Sequence, residues 1–335
     1  MTPAGVITQW MLADSPRGVA VGPDHNLWVT GSLGFIYRVT PKGVVTKFSS
    51  AETAAAQPAY IVAGPDGNMW FTGPGSAAVY RITMNGAITK FPSANPASQP
   101  IGIAVGPDGA LWITDFNLGA VIRMTVQGKS TVVASGLPGP PVGITRGPDG
   151  SMWVAVFNNE ILRLRLDGTY TAFPASSGGV MPFGITTGLD GALWYGDAAG
   201  SGIWRITTDG TTTQYPTSTE VHNVDVAPNG VIWGGGITGP VRMTSGLAGA
   251  PRTVKATAGK ASAKVTWLVP ADSGMNDITS YKVSATPGGA GCITAAMSCT
   301  VKGLKKGHAY RFSVRAANSL GYSPNVGSSA AVTIK

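Results

Sequence analysis

Short apolar runs, each closed by a turn, recur along the first three quarters of the chain. Gly102-Ile103-Ala104-Val105 is one of them, with side chains small enough for an inner strand beside a central axis. Gly106-Pro107-Asp108-Gly109 follows and reads as a tight turn: proline presets φ, aspartate can bond its own backbone, and glycine takes positive φ. Leu111-Trp112-Ile113-Thr114 is a second, β-prone run. Val121-Ile122-Arg123-Met124-Thr125 and Ser130-Thr131-Val132-Val133 supply a third and a fourth. Four short antiparallel strands per unit are the expectation.

The full phrase is Pro-x-Gly, three residues, then Gly-Pro-Asp-Gly-x-Leu-Trp. With substitutions it recurs six times, ending at Trp28, Trp70, Trp112, Trp153, Trp194 and Trp233. A period of about forty residues built from short strands is the signature of a β-propeller. The pattern therefore predicts an all-β chain with a six-bladed propeller over residues 1–248. Residues 5–10 match the last strand of a blade, with no inner strands before them. The sixth repeat ends after Val241-Arg242-Met243-Thr244 without a fourth strand. Pairing the surplus strand with that gap closes the ring and removes both sheet edges. The tryptophans read as core between blades. Arg38, Arg81, Arg123, Arg163, Arg205 and Arg242, one per repeat, read as structural, bonding carbonyls between blades. No stretch has the paired-acid spacing of a calcium loop.

The period stops near Ala250-Pro251 and lysine and alanine become more frequent. Ala263-Lys264-Val265-Thr266-Trp267, Ile278-Thr279-Ser280-Tyr281-Lys282-Val283 and the strand opening at Tyr310 describe an immunoglobulin-like sandwich. With Trp267, Leu304 and Tyr310 as its marks, residues 249–335 resemble a fibronectin type III domain. The resemblance implies a spacer or surface-contact unit of a secreted protein. No Arg-Gly-Asp occurs in Asn318-Ser319-Leu320-Gly321-Tyr322, so integrin-type adhesion is not indicated.

Composition sharpens this picture in two places. Residues 1–250 hold 13 Lys/Arg against 14 Asp/Glu, and residues 251–335 hold 11 against 2, so the basic charge sits in the C-terminal part. Such a module can meet anionic polymer, cell wall or membrane surface; no recognition motif accompanies the charge, which argues against nucleic acid. The two cysteines, Cys292 and Cys299, have the separation of a hairpin and are expected to form a disulfide, which favours an extracellular location. No apolar run is long enough for a membrane span. Met1-Thr2-Pro3-Ala4-Gly5 lacks the basic and apolar regions of a signal peptide and reads as an initiator Met before a mature, secreted and monomeric protein.

Variation among the repeats concentrates at one mouth of the channel, where the x of Pro-x-Gly and the residue three after each Trp come together. The x positions are Arg17, Ala59, Ile101, Val142, Phe183 and His222; the others are Gly31, Gly73, Asp115, Val156, Asp197 and Gly236. Their polar and aromatic members, Arg17, Asp115, Phe183, Asp197 and His222, are candidate ligand-binding residues. Asp225 joins them, because the equivalent positions carry Ala20, Val62, Ala104, Thr145 and Thr186. Glu220, two residues before His222, makes a base and carboxylate pair suited to acid–base work.

Pro-x-Gly-Ile, Gly-Pro-Asp-Gly-x-Leu-Trp-Phe-Thr and Ile-x-Arg-Ile-Thr resemble the streptogramin B lyases (virginiamycin B lyase) over about residues 1–248. The resemblance implies magnesium-assisted opening of a cyclic depsipeptide by elimination. It assigns Glu220 as a metal ligand and His222 as the base. It also implies a second histidine ligand, where this chain has Phe183, and a second glutamate, where it has Gly236; the family's familiar members have seven blades. Three functions follow as expectations. The first is a secreted propeller binding a small molecule or a cell-surface polymer, with catalysis weakened by missing Mg2+ ligands. The second is a magnesium-dependent C–O lyase or lactone-opening enzyme. The third is a non-catalytic interaction scaffold.

Overall fold

The structure is a computed structural model describing residues 12, 14–176, 178–200, 202–227, 231–236, 239–244, 247–270, 278–318, 321–323 and 326–335. The repeats fold as the polarity pattern predicts. Among the described residues they form five four-stranded antiparallel sheets, each with its strands in chain order. Pro100–Val105, Leu111–Asp115, Ala120–Met124 and Ser130–Ala134 make the third of these. A sixth sheet holds Val221–Val226, Val231–Gly236 and Gly239–Thr244. Residues 5–10, expected to complete that sheet, lie outside the described residues. First strands of neighbouring sheets pack together, Pro100–Val105 against Pro141–Arg146 and the latter against Pro182–Thr187, so these strands lie innermost. The architecture is a β-propeller followed by a fibronectin type III sandwich. Two compact units result: one holds Met1–Thr187, Leu193–Val224 and Gly235–Thr238, the other Gly188–Ala192, Asp225–Gly234 and Gly239–Lys335.

The first four repeat tryptophans pack forward onto the next sheet, as core between sheets must. Trp28 clusters with Met69, Phe71 and Tyr80; Trp70 with Ile103, Leu111 and Met124; Trp112 with Met152, Val154 and Leu164; Trp153 with Leu193, Tyr195 and Ile206. All four rings are fully buried. A buried indole N–H needs an acceptor, and the turn aspartate supplies it. Nε1 of Trp28, Trp70, Trp112 and Trp153 donates to Asp24, Asp66, Asp108 and Asp149 at 3.0, 2.9, 3.0 and 3.1 Å. The other carboxylate oxygen faces the repeat arginine, at 4.0 Å from Arg38, 3.8 Å from Arg81, and 2.5 Å from Arg123 and Arg163. In the first two sheets the guanidinium also lies 5.8 Å from the centre of the Trp ring. The arginines thus bind their own sheet's turn, where bonds to carbonyls between blades were expected. Arg38 does both, donating also to the Met84 carbonyl at 2.9 Å. Gly106 leaves room for the indole, since a Cβ there would sit 2.3 Å from Trp112 Nε1. Gly109 closes the turn at φ +70°, a role His25 takes in the first repeat at φ 60°.

In the C-terminal sandwich Trp267, Tyr281, Phe312 and Val314 form the core. The phenol of Tyr310 accepts a hydrogen bond from the Lys305 amide at 3.2 Å and pins the corner before its strand. Cys292 and Cys299 are disulfide-bonded, with Cα atoms 6.6 Å apart. They do not sit in a hairpin. Gly291–Thr294 belongs to the sheet of Ser280–Thr286, and Ser298–Lys302 pairs instead with Ser262–Leu268, so the bond joins the two sheets of the sandwich.

Replacing Asp108 by Ala removes the acceptor of a buried indole and the partner of Arg123, and is expected to cost about 2 kcal/mol in urea unfolding. The same carboxyls set the acid limit. Burial alone would raise them. Hydrogen bonds from the indole and from neighbouring amides, with Arg123 and Arg163 adding attraction in their sheets, outweigh that and hold all four below the ordinary value. Their stabilisation is present above the unfolded carboxylate value of about 4 and is lost as pH falls through the lower folded values. Melting temperature should therefore stay level from neutrality to about pH 4 and fall steeply below it.

Candidate functional site

The pairing register brings the predicted mouth positions together. Pro100 lies opposite Asp115, Pro141 opposite Val156 and Pro182 opposite Asp197. Ile101, Val142 and Phe183 follow these prolines, so in these repeats both sets rim the same end.

The mouth residues then divide by partner. Asp115 is fully buried and accepts hydrogen bonds from the Ser98 hydroxyl, from Gln99 N at 2.9 Å and from Leu118 N at 3.1 Å. It ties the loop entering its sheet to the loop after the second strand. Asp197 accepts from Met181 N at 3.1 Å and Ala199 N at 3.0 Å, the corresponding two loops. In the first repeat Gly31 has no side chain to do this, and Asp14 reaches in from the other loop, accepting from Ser15 N at 2.7 Å, Ser32 Oγ at 2.9 Å and Leu33 N at 3.0 Å. A carboxylate clamp therefore recurs at this end, and Asp115 and Asp197 are two of its members. Arg17 is exposed and makes no hydrogen bond or ion pair among the described residues. Asp225 is exposed too, with Oδ1 accepting from Val226 N at 2.7 Å.

Phe183 and His222 do come together. Their ring centres are 5.5 Å apart at an interplanar angle of 32°. Phe183 in turn meets Phe157 edge-on at 5.8 Å, and Phe157 meets Phe116 edge-on at 5.9 Å. Phe116 and Phe157 each stand one residue beyond a rim position, so an arc of four half-buried rings runs through the third to the sixth repeat. Edge-to-face pairs of this kind contribute about 1 kcal/mol each beyond their burial. At the end of the arc His222 Nε2 lies 3.6 Å from Glu220 Oε2, both side chains about two-fifths exposed at 42% and 40%. Nε2 itself is closed to solvent and has no hydrogen-bond partner. Glu220 precedes the inner strand Val221–Val226 and His222 lies on it, two residues on, so the extended backbone turns both side chains to one side.

Below the rim the channel is crossed. Gly18, Gly102, Gly143 and Gly184 end the Pro-x-Gly phrase in four repeats, but the second and sixth carry Tyr60 and Asn223. Tyr60 Oη donates to Asn223 Oδ1 at 2.6 Å, linking the second repeat to the sixth. Burial pushes the Tyr60 phenol far above its ordinary value, so it stays a donor wherever the protein is folded. The two departures from the repeated phrase were the signal for this bond in the sequence, as were the paired phenylalanines after the tryptophan strands for the arc.

The inner strands are also stapled. The hydroxyls of Thr30, Thr72 and Thr114 donate to the carbonyls of Ala59, Ile101 and Val142 in the next repeat at 2.5, 2.6 and 2.6 Å. At the equivalent positions of the fourth and fifth repeats stand Ala155 and Gly196. The series of staples therefore stops at the junction of the third and fourth repeats, where the Phe116–Phe157 pair begins the arc.

A magnesium ion is not well served here. Among the described residues no three His, Cys, Asp or Glu side chains are grouped to hold a metal. Phe183 presents a ring where the resemblance implies a ligand, Gly236 has no side chain, and Asp197 is committed to backbone amides.

The profile of the virginiamycin B lyase family matches residues 6–244, and that of the fibronectin type III domain matches residues 249–332. A catalytically inactive histidine-to-alanine virginiamycin B lyase from Staphylococcus aureus with quinupristin is similar at 28% identity and a TM-score of 0.68, over 72% of this chain and 85% of that one. A gluconolactonase from Xanthomonas campestris is similar at 19% identity and a TM-score of 0.55, over 69% of this chain and 86% of that one. The extracellular domain of a putative hybrid two-component system from B. thetaiotaomicron is similar at 18% identity and a TM-score of 0.59, over 98% of this chain and 51% of that one. The last two likenesses are of fold alone. No curated protein matches the sequence.

Tyr60→Phe deletes the channel bond and leaves Asn223 Oδ1 without its donor. It is expected to lower stability by about 1–2 kcal/mol in urea unfolding while circular dichroism stays that of the wild type.

Proposed function

The chain belongs to the virginiamycin B lyase family through residues 6–244, and on that footing we propose that it binds a small organic ligand at the Phe183–His222 mouth without metal-dependent turnover. The observation carrying this reading is the aromatic arc that ends at the His222–Glu220 pair. Half-buried ring faces and edges suit a ligand with apolar or aromatic groups. The exposed part of the His222 ring is a surface for orienting it, and Glu220 holds its charge beside the shielded Nε2. The donor set gives no site for a metal that would polarise a carbonyl, and no step is routed through one.

The propeller in this reading spans residues 1–248, with residues 5–10 closing its sixth blade, and residues 249–335 act as spacer or anchor of a secreted, monomeric protein. The disulfide Cys292–Cys299 supports an oxidising location. No helix among the described residues is long and apolar enough to cross a membrane.

A second reading, a magnesium-dependent C–O lyase or lactone-opening enzyme, draws on the retained Glu220-Val221-His222. Quinupristin separates the two. Calorimetric titration of the full chain should show binding that is the same with and without magnesium, and mass spectrometry should show no ring-opened product. His222→Ala should weaken binding roughly tenfold, the loss of one ring contact and one polar contact. Magnesium-dependent ring opening that disappears in His222→Ala would establish the lyase instead, and absence of binding by the wild type would remove the ligand reading.

A further inference from the structure

The basic charge of the C-terminal residues has a focus. Ser280–Thr286 and Ala309–Asn318 are neighbouring strands of the larger sandwich sheet. Their register sets Lys282 directly opposite Arg315, and Ser284 directly opposite Ser313. All four side chains face the same side and line a groove of about 230 Å³ together with Tyr322 and Val326. Lys282 and Arg315 are exposed, and the Lys282 ammonium lies 5.8 Å from the centre of the Tyr322 ring. Like charges directly opposite one another on adjacent strands repel, a placement that disfavours the sheet unless an anion lies between them. Neither cation makes an ion pair among the described residues, and the segment's two acids, Asp272 and Asp277, are outside them.

We propose that this groove binds a chain of uronic-acid sugars, with Lys282 and Arg315 holding a carboxylate of the polymer. The guanidinium can take a carboxylate through two parallel N–H donors, while the ammonium acts as a point charge beside it. The exposed face of Tyr322 and the lip at Val326 fit the apolar face of a pyranose ring, and the Ser284 and Ser313 hydroxyls match its hydroxyl groups. Nucleic acid would instead call for several stacking rings along a basic track, and the groove has one ring. The surrounding charge of 11 Lys/Arg against 2 Asp/Glu in residues 251–335 raises the local concentration of any polyanion, and the groove selects among them.

The test is affinity electrophoresis and calorimetry of the full chain at low ionic strength with polygalacturonate. Lys282→Ala/Arg315→Ala is compared with Lys305→Ala/Lys306→Ala, which removes the same charge from an exposed turn of the same sandwich. Thermal melts verify that both remain folded. The groove variant should bind about tenfold more weakly, the control should stay within about twofold of wild type, and added salt should weaken all three. Equal losses in the two variants would reduce the effect to diffuse charge and overturn the site. Equal binding of fully methyl-esterified polygalacturonate, or tighter binding of poly(dT) or phosphatidylglycerol vesicles than of polygalacturonate, would overturn the ligand.

Discussion

The propeller depends on one buried N–H. Each of the first four repeats places a tryptophan against the next sheet, because that ring is the largest apolar surface available to join two sheets. Burying it leaves the indole nitrogen without water. The turn aspartate four residues earlier accepts its proton, and the arginine of the third strand covers the remaining charge. Turn, core and third strand are thereby coupled in the first four copies of the motif. A turn residue that reads as local chemistry in the chain is in fact part of the core. This coupling also explains why the charged groups of the repeats are so regular in a chain that is only 12% charged.

Regularity at the turn end leaves the other end free to vary. There the same physical need, to hold two loops together, is met by carboxylates from different chain positions: Asp14 in the first repeat, Asp115 in the third, Asp197 in the fifth. Threonine staples join the inner strands of the first repeats and are absent where Ala155 and Gly196 stand. From the last of these staples onward the phenylalanines and His222 assemble their arc. Phe183 is thus one member of an aromatic mouth, with the Tyr60–Asn223 bond beneath it.

The sandwich follows a different logic. Its core is ordinary close packing around Trp267, and the disulfide joins its two sheets. Its surface carries an imbalance of charge that packing does not require, and the register of two strands concentrates that imbalance at Lys282 and Arg315.

Much of the fold was legible in the chain, because strand alternation and turn chemistry act over a few residues and a repeat displays them many times. The six tryptophans, the turn phrase and the change of composition near Ala250 sufficed for a propeller and a sandwich. The Glu220–His222 pair was legible for the same reason, being two residues apart at the start of one strand. What the chain could not show were contacts set by sheet packing. Asp115 and Asp197 looked like free rim carboxylates, and only the close approach of two loops turned them into clamps. The repeat arginines looked like bridges between blades, and the depth of the indole nitrogen drew them to their own turn. The cysteines looked like a hairpin pair, and the switch of partner between Gly291–Thr294 and Ser298–Lys302 made them a link between sheets. Tyr60 and Asn223 are 163 residues apart, and their bond exists because ring geometry brings their strands face to face. Local sequence determines which strands and turns form; partners distant along the chain are chosen by packing, since a buried polar group takes whichever acceptor the fold delivers.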